Sequence, residues 1–172
     1  MKYLTALTAL LLASASAFAT GPQANVQAEM RKMQEAQARM MAEMMSEQRS
    51  RLGFTETVSA LQNAAKRRGW EIGPAMNMQE AMQKAGQRDA RPFTVLTMCR
   101  KDLAENLLKA QMTNRTIPFA PCRISVFEGS DGKTYIARPN TARMAQMATP
   151  TFAPLLNAFV EEEKALLAGL VD

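Results

Sequence analysis

The sequence predicts an α+β fold, with a small, mostly antiparallel sheet preceded by a long N-terminal helix. The strongest observation is a β-hairpin signal, in which residues 119–128 and 133–138 flank a turn at residues 129–132 made of Gly, Ser and Asp. A further strand is predicted at residues 93–99, where β-branched and aromatic residues follow a proline. Between these strands lie several stretches rich in helix-forming residues.

Residues 1–19 have the features of a secretory signal peptide. Lys2 supplies a basic start, residues 4–13 form an apolar run, and Ala17 and Ala19 are small residues at the positions a signal peptidase reads. The apolar run is too short to cross a hydrocarbon core of about 30 Å, so no stable membrane anchor is expected. We expect cleavage near Ala19 and a periplasmic or secreted protein.

Residues 20–52 are predicted to be a Met-rich helical extension, with one continuous helix from Val26 to about Arg51. Three interpretations of its methionines are open. They form an adaptable apolar seam against the domain or a second copy, they offer thioether ligands to a soft ion such as Cu(I), or the segment is a free arm. The methionines concerned are Met30, Met33, Met40, Met41, Met44 and Met45.

Residues 53–168 are predicted to form the α+β domain. Its first helix covers residues 55–68 and stops at Gly69, a residue type favoured after helix ends. A short strand follows at residues 70–72. Asn77, with Glu80 three residues later, resembles a capping box that opens a helix to Lys84.

The second half of this domain alternates strands and helices. The strand at residues 93–99 is followed by a helix at residues 102–112 and then by the hairpin. Asn140 is predicted to cap a helix through Met147. A last helix is predicted to begin at Thr149-Pro150, because proline suits the first helical position, and to run to about Leu167.

Composition excludes several classes of function. The chain has 172 residues, no histidine and two cysteines. The lack of histidine excludes Ser-His-Asp and Cys-His catalysis, and the lack of a C-x-x-C motif means that thioredoxin-like exchange is not supported. The formal net charge is only +5, and no aromatic residues interleave with the basic ones, so no nucleic-acid partner is expected. No acid–base constellation stands out, so an enzyme acting alone is not favoured.

Cys99 and Cys122 are the main candidate site. Cys99 ends a strand on the face of Phe93 and Val95, and Cys122 begins one on the face of Ile124. We predict that the two strands run antiparallel, or are staggered, so that these ends meet and the Cα atoms lie within about 7 Å.

Three interpretations of the pair are open. The first is a structural disulfide, natural after export and worth about 3 kcal/mol. In the second, the two residues are buried thiols acting as small hydrophobes. In the third they are functional, either binding a soft metal such as copper together with Met144 or Met147, or cycling between thiol and disulfide with a partner.

Residues 53–168 resemble the bacterial domain-of-unknown-function family 302. The resemblance implies an α+β domain with helices packed on one side of a small sheet, often dimeric, and it implies no established activity. The family pattern has Asn-Pro or a similar pair after the first cysteine and often a histidine in the next helix, whereas Arg100-Lys101 and Leu103-Ala104 stand there in this chain. Family members also often begin with a strand, where this chain has its Met-rich helix. The resemblance is carried by Gly53-Phe54, Gly69-Trp70, Cys99, residues 119–128, residues 130–136 and residues 140–144.

Two classes of function follow. The first is an exported, non-catalytic binding or interaction module that uses the Met-rich helix or the cysteine pair, with a second copy or a periplasmic protein as partner. The alternative is a redox-active or sulfur-handling protein that uses Cys99 and Cys122 with a partner.

Overall fold

A computed structural model of the protein describes residues 22–172, and the predicted signal peptide lies outside the described residues. The described residues divide into two units, with the boundary between Ala42 and Glu43. The described part of the first unit consists of helix α1, Pro22–Glu43, without its last residue. Among the described residues, no helix combines the length and the apolar character needed to cross a membrane.

The predicted continuous helix from Val26 to Arg51 is wrong over its last part. Helix α1 ends at Glu43, and Met45–Arg49 forms strand β1 instead. The composition of this stretch favours a helix, but pairing with the hairpin overrides that preference. The strand that the family resemblance leads one to expect is therefore present, directly before the first helix of the second unit.

The second unit contains one sheet whose strand pairs are all antiparallel. The strands after β1 are β2 (Glu71–Ile72), β3 (Met76–Asn77), β4 (Phe93–Cys99), β5 (Arg123–Glu128) and β6 (Thr134–Pro139). Their order in the sheet is β1-β6-β5-β4-β2, and the short strand β3 also pairs with β4. This confirms the predicted α+β class and the mostly antiparallel sheet.

The hairpin of β5 and β6 forms as predicted. The backbone N–H of Gly129 donates to the carbonyl of Lys133 at 2.8 Å, and that of Gly132 donates to Gly129 at 3.1 Å. Gly132 has a φ of 70°, which a residue with a side chain adopts at a cost. Local turn chemistry therefore sets the register of this hairpin.

Five helices belong to the second unit. Asn77 and Asn140 cap two of them as predicted, accepting from the N–H groups of Glu80 at 3.0 Å and Arg143 at 3.1 Å. The last helix begins later than predicted, at Ala153, and Thr149-Pro150 forms a turn before it. The helices are α2 (Phe54–Arg67), α3 (Met78–Lys84), α4 (Lys101–Thr113), α5 (Thr141–Met147) and α6 (Ala153–Leu167).

The main core lies between one face of the sheet and helices α2 and α6. Leu61 of α2 and Leu166 of α6 pack in the same buried cluster as sheet residues of β4, β5 and β6. Full burial of such side chains contributes about 1.5–3 kcal/mol each relative to exposure. The sheet residues of this cluster are Leu96, Met98, Ile124, Val126 and Ile136.

The face of β4 that packs against the helices is the one that carries Leu96 and Met98. Leu96 and Met98 are buried against the helices, so the face of Phe93 and Val95 is turned away from them. Both faces of this strand carry apolar residues. The alternation by itself therefore could not show which face the helices cover.

A second core cluster lies between α4, α5 and α6. Its buried members include Leu107 of α4, Ala145 of α5 and Phe159 of α6, and Leu107 and Phe159 are fully buried. This cluster lies next to the end of β4 and the start of β5, and it is the apolar support for the cysteine pair.

Candidate functional site

The structure brings the two cysteines together. Cys99 is the last residue of β4, and Cys122 directly precedes β5. The N–H of Met98 donates to the carbonyl of Cys122 at 2.9 Å, which places Cys99 just past the end of the pairing between β4 and β5. The Cα atoms of the cysteines are 4.7 Å apart and their sulfur atoms are 1.95 Å apart, a disulfide distance. The prediction that they are neighbours on antiparallel strands is confirmed.

The cysteine pair packs against the second core cluster. Cys99, Cys122 and Met144 are all half-buried and contact its buried residues. Met147, the other thioether suggested by the sequence, is 54% exposed. The predicted metal ligands Cys99, Cys122 and Met144 therefore share one apolar neighbourhood, and metal binding there stays a prediction. Two bonded sulfurs would have to be reduced to thiolates before they could ligate a soft ion.

A charged network that the sequence did not predict lies beside the disulfide. Arg100, the N-cap residue of α4, contacts Glu162 of α6 through Nη1 and Oε1 at 2.8 Å. Glu162 also accepts from Trp70 Nε1 at 3.3 Å and from Arg68 Nη2 at 3.2 Å. Burial acts to raise the pKa of Glu162, but the hydrogen bonds from Arg100, Trp70 and Arg68 outweigh it and hold the pKa below its usual value. This carboxylate therefore remains charged and joins α6 to the end of β4 and to Trp70.

The opposite face of the sheet carries a row of aromatic side chains. Residues Arg49, Tyr135, Phe127 and Phe93 are directly opposed across β1, β6, β5 and β4. The rings of Phe93 and Phe127 meet edge to face with centroids 6.2 Å apart, and those of Phe127 and Tyr135 stack at 5.7 Å. Such geometries add about 0.5–1.5 kcal/mol per pair beyond area burial. The row is half-buried and lies on the face that α2 and α6 leave open.

A groove of about 910 Å³ opens at the end of this row, and we call it the aromatic groove. It is bounded by Met82 of α3, the loop of residues 86–92, Phe93, Phe127 and Glu128. Its volume is within the range typical of ligand pockets. The sequence did not predict the groove, because the groove depends on which side of β4 helix α3 and the loop border.

The hairpin turn closes the row beyond Tyr135. Asp131 accepts from the N–H of Lys133 at 3.0 Å and from the Tyr135 hydroxyl at 2.8 Å. These two bonds lower the pKa of Asp131, and the same carboxylate raises the pKa of Tyr135. Asp131 therefore acts as a turn residue, as the sequence predicted, and it also orients the outermost ring of the row.

Comparison with known proteins identifies the domain. A family model described as "Domain of unknown function DUF302" matches residues 45–170. A solved structure of an uncharacterized conserved DUF302 protein from Bacillus stearothermophilus has the same fold, with a TM-score of 0.58 and 23% sequence identity. That alignment covers 73% of this chain and 94% of the other. No curated protein matches the sequence.

Proposed function

The chain belongs to the DUF302 family, and from that premise we propose that it is a non-catalytic binding module whose site is the aromatic groove. The observation that carries the proposal is the row of Phe93, Phe127 and Tyr135 on the open sheet face, which ends in a groove large enough for a ligand. We further propose that the protein acts after export, in the periplasm or outside the cell, because residues 1–19 resemble a cleaved signal peptide.

The chemistry of the groove favours a flat apolar ligand. Phe93 and Phe127 offer ring surfaces, and Met82 offers a flexible thioether side chain that adapts to ligand shape. Charges of both signs lie at the groove, from Arg88 and Arg91 on one hand and Asp89 and Glu128 on the other. No single sign dominates, so recognition would rest on apolar contact rather than on net charge.

The proposal is tested with the fluorescent probe anilinonaphthalene sulfonate and the mature protein. Phe127→Ala removes the central ring of the row and should weaken probe binding by about tenfold, because the lost side chain contributes both contact area and ring packing. Phe119→Ala makes the same chemical change in the loop before β5, away from the groove, and should leave the affinity unchanged.

The result also separates this groove from another apolar pocket. Phe119 lines a smaller pocket of about 290 Å³ between α4, α5 and α6. Equal affinity for wild type and Phe127→Ala, with a loss in Phe119→Ala, would assign the probe to that pocket and overturn the proposal. Circular dichroism of each variant checks that the fold is retained.

A second candidate is thiol–disulfide exchange by Cys99 and Cys122, and one specific observation favours it. Cys99 directly precedes Arg100, the N-cap of the 13-residue helix α4. A helix N-terminus favours a thiolate over a thiol. In the exchange, a partner dithiol would attack the disulfide, giving up two electrons and two protons. The partner would leave as a disulfide, with Cys99 and Cys122 as thiols.

Equilibration with glutathione redox buffers tests this candidate. Reduction of the pair between about −180 and −260 mV would support exchange with a cellular partner. A pair that stays oxidised below about −300 mV would be structural, and the redox candidate would fail. Soft-metal binding by Cys99, Cys122 and Met144 requires the same reduction, so elemental analysis for copper belongs on the reduced protein.

A further inference from the structure

A second pocket of the domain is lined by uncharged side chains. It has a volume of about 290 Å³ and lies between α4, the loop of residues 114–122, α5 and the start of α6. No residue that lines it is ionisable, and only Gln111 and Thr116 are polar. We call it the loop pocket, and its apolar lining includes Leu107, Ile117, Phe119, Met144 and Leu156.

The loop that forms one wall of this pocket is held in place at both ends. The backbone carbonyl of Gln111 accepts from the N–H of Thr116 at 2.9 Å, and Gln111 Oε1 accepts from the N–H of Phe119 at 2.7 Å. At the other end of the loop, Cys122 is bonded to Cys99. The loop pocket is therefore formed in advance, and a ligand need not first order its wall at a cost in affinity.

The loop pocket has a buried floor and an exposed apolar rim. Leu107 and Leu156 are buried, whereas Ile117 is 88% exposed and Phe119 is 38% exposed. A ligand that filled the pocket would remove apolar surface of both the floor and the rim from water. A water-sized group occupies about 30 Å³ in a liquid, so the pocket holds roughly ten heavy atoms.

The polar groups of the pocket call for a ligand that accepts a hydrogen bond. Because Gln111 Oε1 faces the N–H of Phe119, the oxygen and nitrogen of this amide are distinguished by their surroundings. Within residues 22–172, Gln111 Nε2 donates to no other group. Thr116 already donates its hydroxyl to the carbonyl of Gln111 at 3.2 Å. The free polar group is therefore the donor Nε2.

From these observations we propose that the loop pocket binds a small neutral aliphatic molecule whose carbonyl or hydroxyl oxygen accepts from Gln111 Nε2. An anionic group would meet no compensating cation among the lining side chains. The anionic probe of the aromatic groove is not expected here for the same reason, and because the pocket is much smaller, about 290 Å³ against about 910 Å³. The proposal is independent of the aromatic groove.

Titration of the mature protein with straight-chain methyl ketones, followed by NMR of the methionine methyl groups, tests the proposal. Met144 lines the loop pocket and Met82 lines the aromatic groove, so their signals distinguish the two sites. From methyl propyl to methyl heptyl ketone, the affinity reported by Met144 should rise about fourfold per added methylene group. Methyl nonyl ketone exceeds roughly ten heavy atoms and should gain nothing further. An unmoved Met144 signal, or a shift confined to Met82, would overturn the proposal.

A pair of alanine substitutions tests whether the ketone occupies this pocket. Ala148 lines the pocket, so Ala148→Phe should fill it with a ring and abolish ketone binding. The matched control is Ala142→Phe, which adds the same ring at an exposed position of α5 outside the pocket and should bind as the wild type does. Circular dichroism checks the fold of both variants. Undiminished binding by a folded Ala148→Phe protein would contradict the assignment.

Gln111→Glu tests the hydrogen bond without loss of the loop contact. The substitution keeps an oxygen for the N–H of Phe119 and replaces the donor by a second acceptor. At about pH 8, where the new carboxyl is ionised, methyl heptyl ketone should bind roughly tenfold more weakly. The corresponding secondary alcohol can donate to the carboxylate, so it should lose much less affinity. Equal losses for the ketone and the alcohol, or no loss for either, would refute the role of Gln111.

Discussion

Removal of the Cys99–Cys122 bond should lower the free energy of unfolding by about 3.4 kcal/mol. The two cysteines are separated by 23 residues, and the chain-entropy relation for a closed loop of that size yields this value at 25 °C. Both side chains are half-buried, so replacing both by alanine adds only a small cavity cost. For a domain of this size the expected decrease in Tm is roughly 10–15 °C.

Urea unfolding followed by circular dichroism is the appropriate assay. The double variant Cys99→Ala with Cys122→Ala should unfold at lower urea than the oxidised wild type. A reductant should bring the wild type down to the variant's midpoint and leave the variant unchanged, which separates the effect of the bond from that of the substitutions. Coincident curves for the variant and the oxidised wild type, with no free thiol in the latter, would refute the reasoning.

Two further predictions concern α5 and α6. Burial raises the pKa of Glu163 above its ordinary value of 4.5, against the hydrogen bond from Thr141 at 2.8 Å and the charge of Arg138, whose Nε is 3.3 Å away. The stabilising contribution of this carboxyl is therefore complete below pH 4.5 and is lost as the pH rises through the folded-state pKa. Glu163→Gln should make the free energy of unfolding, measured by urea titration, depend less on pH above 4.5. An unchanged slope of that free energy against pH would contradict this. Asn140→Ala removes the side chain that accepts a hydrogen bond from the backbone N–H of Arg143. It should lower the free energy of unfolding by about 1 kcal/mol in the same assay. No loss would mean that the cap is dispensable.

Features that depend on a few neighbouring residues could be predicted from the sequence. The hairpin followed from the glycines and Asp131 between two strand-forming runs, and the helix starts at Asn77 and Asn140 followed from their side chains. The proximity of Cys99 and Cys122 also followed, because an antiparallel placement brings the end of one strand beside the start of the next.

Strand β1 shows where local preference fails. Residues Met45–Arg49 continue a helix-forming composition, yet they form the edge strand beside β6, with Arg49 opposite Tyr135. The hairpin presents an open edge of unpaired backbone groups, and pairing there satisfies donors and acceptors that a helix could not reach. The partner lies far away in sequence, so no window around β1 contains the information.

The amino-acid sequence by itself determined the α+β class, the hairpin and its turn, two of the helix caps and the proximity of the cysteines. Only the tertiary structure decided that Leu96 and Met98 face the helices, so that Phe93 joins Phe127 on the open face and the aromatic groove forms. The physical reason is that strand alternation defines two faces without ranking them. When both faces are apolar, the choice depends on which one distant helices bury, and that is a property of long-range packing.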